Sequence, residues 1–174
     1  TMKTTKVLQT NVSQTNIDEV SNILNSSSGN KIAICNANTL VRSARDSDLA
    51  DLINDFTIKT PDGFPVAKAL SILTKQNFLR VDGYKVFLQT IENGLDKNRS
   101  HYFFGSDELT TKLMIKNLKK LYPEIQINGY ICPEIMEFDQ LAEKYIDEIK
   151  KISADIVWVS LGFPKQEMFI DKVC

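Results

Sequence analysis

The chain has 174 residues, 43% hydrophobic and 25% charged, enough to bury one substantial core, and it reads as a single globular domain over residues 1–174. Twenty-one basic side chains against 22 acidic ones leave a net charge of −1, so no global field argues for nucleic acid or an anionic membrane, and any such affinity would have to be local. The longest apolar runs are strand-sized and the N-terminus lacks the charged start and apolar core of a signal peptide, which excludes a spanning helix and points to a cytosolic chain.

In chain order, Thr1 before Met2 reads as a cloning remnant, residues 7–12 as a first strand and residues 16–24 as a short helix closed by a polar loop at 26–29. Residues 31–35 form a second strand. Residues 39–53, with Leu40, Val41, Ala44, Leu49, Leu52 and Ile53, have a helical apolar spacing. A short strand at 56–58 runs into the turn signal Lys59-Thr60-Pro61-Asp62-Gly63, succeeded by helical patterns at 64–73 and 84–95. Then come a strand at 101–104, a helix at 108–121, a strand at 125–130 and a helix at 139–152. The apolar run at 155–161 reads as a strand buried on both faces, ended by Gly162-Phe163-Pro164. A final helix at 166–173 stops at Cys174, so a piece of a longer chain is expected. Strands separated by helices imply right-handed crossovers, hence an α/β, Rossmann-like, mostly parallel sheet covered on both faces.

In open α/β sheets ligands bind beyond the carboxyl ends of the strands. Asn36 and Asn38 come after the second strand, Asp62 after the third, Gly105 and Ser106 after the strand at 101–104, and Gln166 and Glu167 after the last. All are placed to converge on one crevice. Helix capping by itself explains Asn, Asp and Ser at such junctions more often than catalysis does, and Arg80, Asp82, Lys85 and Lys165 read as solvated charges.

Three other candidates fail. Asp46-Ser47-Asp48 matches an Asp-x-Asp metal pattern but lies within or beside a helix, where i and i+2 do not face each other. His101, the single histidine, has no second ligand nearby in sequence, and a structural role is favoured. No Gly-x-Gly-x-x-Gly or phosphate loop exists, which weakens an NAD-dependent oxidoreductase or NTPase reading. Cys35, Cys132 and Cys174 are too scattered for a disulfide framework or zinc site, and the first two suit buried free thiols.

Asn36 after an apolar strand, Pro61-Asp62-Gly63, Arg80-Val81-x-Gly83, Phe103-Phe104-Gly105, Pro123 before the strand at 125–130, Pro133, and Leu161-Gly162-x-Pro164-Lys165-Gln166-Glu167 occur in this order. Together they resemble the WecG/TagA/CpsF glycosyltransferases, glycosyltransferase family 26, over residues 7–173. The resemblance implies an inverting, metal-independent transferase without a cofactor. It would move an N-acetylmannosamine-type sugar from a UDP donor to an undecaprenyl-diphosphate-linked sugar, in teichoic acid or other surface polysaccharide synthesis.

By the same resemblance Asp62 corresponds to the catalytic base, Arg80 to a diphosphate or acceptor contact, and Asn36 and Gln166 to pocket groups. Gly105, with Ser106 opening a helix, would let backbone approach the nucleotide. Asn38 and Glu167 are carried as substrate-binding neighbours. The chain departs from the pattern at Ile34-Cys35-Asn36, where Thr-Pro-Asn is frequent, and at Tyr84 and Lys85, where an aspartate is common. Family members continue into a basic, membrane-docking appendage, so the expected location is peripheral to the inner face of the bacterial membrane, docked through a missing segment, with self-association open. The alternative is a noncatalytic nucleotide-sugar-binding subunit of the same fold.

Overall fold

The computed structural model describes residues 2–174. They form two compact units, one running to Thr90 and the other from Ile91 to Cys174. The described residues hold seven strands and eight α-helices, and the strands that helices separate pair in parallel, as the alternation predicts.

The first unit opens on an antiparallel hairpin, β1 (Thr4–Val7) and β2 (Thr10–Ser13), where the sequence predicts one strand. The turn falls at Leu8 and Gln9 with Leu8 at φ 55°, a left-handed position that normally favours Gly or Asn, so nothing in the sequence announces it. Asn54 supports the turn from outside: its Oδ1 accepts from Asn11 N at 2.8 Å and its Nδ2 donates to Gln9 O at 2.9 Å.

Helix α1 (Ile17–Ser26) is capped by Asn16, whose Oδ1 accepts from Glu19 N at 2.9 Å. Strands β3 (Ile32–Cys35) and β4 (Ile58–Pro61) are parallel partners. Between them lie two helices, α2 (Ala37–Arg45) and α3 (Ser47–Asn54), where the spacing predicts one. Asp46 makes the break: it is extended (φ −139°, ψ 109°), and its Oδ1 accepts from Leu49 N at 3.1 Å, capping α3. The Asp-Ser-Asp pattern is a helix start.

β4 begins where the predicted strand ended, and all four of its residues are buried. Even Lys59 is interior, its ammonium donating to Phe56 O at 2.6 Å and Asn54 O at 3.3 Å, and burial pulls its pKa down. Pro61, which has no N–H to give, is tolerated as the last residue of the strand. Helix α4 (Phe64–Thr74) comes next, and α5 (Gly83–Gly94) carries the chain into the second unit. Val20, Ile58, Val81 and Val86 form a buried cluster that joins α1, β4 and the start of α5.

The second unit holds a 3-10 turn at Leu95–Lys97, then β5 (Ser100–Gly105), α6 (Glu108–Leu121), β6 (Gln126–Ile131), α7 (Phe138–Lys150), β7 (Ile156–Ser160) and α8 (Lys165–Val173). Its sheet is parallel in the order β6-β5-β7. The most deeply buried strand is therefore the central β5; β7 is an edge strand in which only Ile156 is buried, which corrects the expectation of burial on both faces. Phe104 of β5 stacks on Phe169 of α8 (centroids 4.5 Å apart, planes at 8°) and meets Tyr145 of α7 edge-on at 5.5 Å. Burying an aromatic ring of this kind contributes roughly 2–3 kcal/mol, so Phe169 anchors α8 to the sheet.

All three cysteines are free: Cys35 is buried, Cys132 half-buried and Cys174 exposed. No helix among the described residues is long and apolar enough to cross a membrane.

His101 has the structural role expected of it. It is 1% exposed, lies roughly parallel to Trp158 at 6.2 Å, and its Nδ1 accepts from Trp158 Nε1 at 3.1 Å. Burial, opposed by nearby Asp155, lowers its pKa to about 4. Folded His101 is thus neutral while the unfolded residue protonates near its ordinary value, so the stabilisation is complete at neutral pH and is lost as pH falls from about 6.5 to about 4. We expect this group to remove on the order of 3 kcal/mol across that window. Urea unfolding monitored by circular dichroism at pH 7 and pH 4.5 should show a smaller pH-dependent loss in His101→Asn than in the parent chain.

Candidate functional site

In the first unit the register aligns Cys35 with Pro61, so Asn36 and Asp62 occupy equivalent places, one residue past the carboxyl ends of two neighbouring strands. Asp62 is pinned there because its N–H donates to Cys35 O and Thr60 O, both at 3.0 Å. The 80–82 loop joins the same edge through Val81 N to Pro61 O at 2.8 Å. Gly83 then packs its bare Cα on Ile34, where a Cβ would lie 3.3 Å from Cγ2. This edge therefore brings together Asn36, Asp62 and Arg80, with Asn38 exposed in the first turn of α2.

Capping accounts for some of these residues and not others. Asn36 caps α2, its Oδ1 accepting from Thr39 N at 3.0 Å. Asp82, taken from sequence as a solvated charge, accepts from Lys85 N at 3.1 Å at the start of α5. Asp62 is different. The N-cap of α4 is Gly63, at φ 83°, and no side chain caps that helix. The Asp62 carboxylate is therefore not consumed by its own helix.

Asp62 is half-buried, and its pKa is raised, first by burial and then by the negative charge of Asp82. The Gly63 amide and the Arg80 cation pull the other way. Arg80 Nη2 sits 3.7 Å from Asp82 Oδ2 in a largely exposed pair, the kind worth little for stability. Its significance is positional: the Arg80 guanidinium also acts on the Asp62 carboxyl, whose pKa is elevated.

In the second unit Gly105 ends β5 opposite Ser160, which ends β7. Gly105 has φ 111°, and a Cβ there would lie 2.0 Å from Ser160 O. The requirement for glycine is set by the neighbouring strand's own backbone. Ser106 donates its N–H to Ser160 O at 2.9 Å and has φ 61°. It does not open the helix; α6 starts at Glu108 and Asp107 caps it, Oδ1 accepting from Thr110 N at 2.8 Å.

Beyond these strand ends lies a cleft of about 510 Å³ whose lining includes Ser106, Asp107, Cys132, Met136, Ser160 and Lys165. Lys165 donates to Met136 O at 2.8 Å and is half-buried, not the surface charge its sequence context suggests. The signal that could have found it is its position directly after the Gly-x-Pro turn at a strand's carboxyl edge. On α8, Gln166 Nε2 donates to Glu167 Oε1 at 3.0 Å. Glu167 is 2% exposed, and its Oε2 has no hydrogen-bond partner among the described residues. Burial raises its pKa against the opposing effect of the Gln166 amide.

The units thus carry two groups of polar residues at parallel-strand ends: Asn36, Asn38, Asp62 and Arg80 in one, Gly105, Ser106, Gln166 and Glu167 in the other. The first can accept a proton at a carboxylate flanked by a cation. The second presents one ammonium, Lys165, at a cleft that Asp107, Glu108 and Glu134 also line, with the N-terminus of α6 already satisfied by the Asp107 carboxylate.

Comparison with known proteins returns a family model described as "Glycosyl transferase WecG/TagA/CpsF family", matched over residues 5–173. Two similar proteins, from Bacillus spizizenii and Bacillus subtilis, both carry the name N-acetylglucosaminyldiphosphoundecaprenol N-acetyl-beta-D-mannosaminyltransferase. The first is 30% identical over 64% of this chain and 42% of its own length. The second is 25% identical over 82% of this chain and 54% of its own length. The chain spans about half the length of these curated relatives.

The geometry sets two expected outcomes. Asp82→Asn preserves a capping oxygen for α5 but removes the charge that repels the Asp62 carboxylate, so the titration midpoint of Asp62, read by carbon-detected NMR, should fall; an unchanged or higher midpoint contradicts the assigned cause. Gly105→Ala meets both a backbone clash and an unfavourable φ, and should cost about 3 kcal/mol or more in urea unfolding.

Proposed function

Since the chain belongs to the WecG/TagA/CpsF glycosyltransferase family, we propose that it catalyses sugar transfer, with Asp62 as general base. In this reading an N-acetylmannosamine-type sugar passes from a UDP donor to a polyprenyl-diphosphate-linked sugar. The acceptor class is drawn from the names of the Bacillus relatives, which specify an N-acetylglucosaminyldiphosphoundecaprenol acceptor.

The observation that carries the reading is the Asp62 carboxyl: fixed at a strand end, free of capping duty, with a raised pKa. A general base works best when its pKa approaches the operating pH while it remains ionised, and partial burial beside Asp82 moves Asp62 in that direction. The reaction is one in-line displacement with inversion. The acceptor hydroxyl oxygen forms a bond to the anomeric carbon as the bond from that carbon to the β-phosphate oxygen breaks. The hydroxyl proton goes to Asp62, and the electron pair leaves with UDP.

The departing diphosphate gains negative charge, which needs preorganised positive partners. In place of a metal ion, this reading assigns that task to Arg80, the cation whose charge acts on the Asp62 carboxyl. Asn36, Asn38 and Gln166 are read as hydrogen-bonding groups for sugar or uridine, and Gly105 and Ser106 as the backbone that borders the nucleotide. Glu167, buried and bonded to the Gln166 amide, is read as orienting it. The acceptor lipid would hold the protein at the inner face of the bacterial membrane.

The test uses the full-length protein that contains this chain. With a synthetic polyprenyl-diphosphate N-acetylglucosamine and a panel of UDP-sugars, we expect UDP release selective for one donor. Asp62→Asn should bind UDP nearly as the parent does while turnover falls by at least ~10²-fold. Donor binding without UDP release in the parent protein would instead favour a noncatalytic sensor, and unchanged turnover in the variant would remove Asp62 from the mechanism.

A further inference from the structure

The first unit exposes an apolar surface that neither its core nor the candidate site accounts for. On α4 the buried positions Val66, Ala67 and Leu70 face the interior. Phe64, Lys68 and Ile72, spaced by four, lie on the opposite side, and Leu73 is exposed beside the buried face near the helix end. Phe64 is 73% exposed, Ile72 65% and Leu73 57%; the segment after α4 adds Leu79 at 77% and Tyr84 at 69%. Single exposed apolar residues are ordinary, but Phe64 and Ile72 share one outward face of α4 and three more large apolar side chains are exposed by residue 84, a density that points to an interaction surface.

Charge identifies the partner. In a chain with 22 acidic residues, residues 64–81 contain none, while Lys68, Lys75 and Arg80 supply three cations. The first acid after them, Asp82, is engaged by the Lys85 amide and by Arg80. A second copy of the chain fits poorly, because a two-fold contact would set these cations against their own symmetry mates. A surface that takes apolar side chains and rewards cations is an anionic lipid interface, where exposed apolar groups enter the headgroup boundary and each nearby Lys or Arg adds attraction.

We infer that α4 and the 75–84 segment form a docking surface for anionic phospholipid bilayers, built into this chain itself. The surface begins two residues after Asp62, so docking would bring the proposed base to the level where a lipid-linked diphosphate emerges. That meaning rests on the transferase reading; the binding itself does not.

The test is co-sedimentation of the 174-residue chain with vesicles of phosphatidylcholine alone and of phosphatidylcholine with about 30 mol% phosphatidylglycerol, at low and high salt. Binding is expected to the anionic vesicles, weakened by salt. Ile72→Ser with Leu79→Ser, and separately Lys68→Gln with Lys75→Gln, should each reduce it by ~10-fold or more with unchanged circular dichroism. Leu113→Ser, in a helix of the other unit, should not. Equal pelleting with both vesicle types, no pelleting, full binding by the patch variants, or a matching loss in Leu113→Ser would each overturn the assignment. So would light scattering that shows a dimer dissolved by the patch substitutions without vesicle binding. UDP titration by calorimetry, run on the same variants, separates failure of this surface from failure of the transferase reading.

Discussion

Parallel pairing requires neighbouring strands to point their carboxyl ends the same way, and in both units of this protein the paired strands also end level with one another. Cys35 stands opposite Pro61, and Gly105 opposite Ser160. The residues just past each pair are therefore presented side by side, whatever their distance in sequence. Asn36 and Asp62 are 26 positions apart by their numbers, yet they leave the sheet at the same height. The second unit achieves its match at closer quarters: Gly105 lets the backbone of β5 approach β7 so nearly that the Ser106 amide bonds Ser160 O at 2.9 Å.

Once strand ends are aligned, the competition at each one is between capping a helix and remaining free for chemistry. Asn36, Asp82 and Asp107 satisfy helix amides. Asp62 does not, because Gly63 takes the cap position at a φ no other residue adopts comfortably. The Pro-Asp-Gly sequence is thus more than a turn. Proline ends the strand without needing a ladder partner, glycine begins the helix without a side-chain cap, and the aspartate between them is left with a carboxylate whose surroundings discourage ionisation.

Much of this was legible in advance, for physical reasons that can be traced residue by residue. Helix α6 was readable to its last residue because its apolar spacing and flanking polar residues agree, and the alternation of strands with helices gave the parallel α/β class. The hairpin at Leu8 was not, since a left-handed leucine leaves no trace in composition. The break at Asp46 was missed because apolar spacing continues across it, while the capping that decides it is a single side-chain bond. The burial of β7 was overstated because an apolar run does not reveal whether a strand lies at the centre or the edge of its sheet. Among site residues, position at a strand end could be inferred, but the burial of Glu167, the cleft position of Lys165 and the influence of Asp82 on Asp62 arise from tertiary packing.

The pairing of Trp158 with His101 has a practical consequence. The chain has one tryptophan, and it lies in the sheet of the second unit with its indole N–H held by a neutral imidazole. Intrinsic indole emission therefore originates from that sheet alone, and the first unit contributes no tryptophan signal. An imidazolium quenches indole far better than an imidazole does, so dimming on acidification would register the local protonation of one buried ring, an optical probe already wired into the native polypeptide.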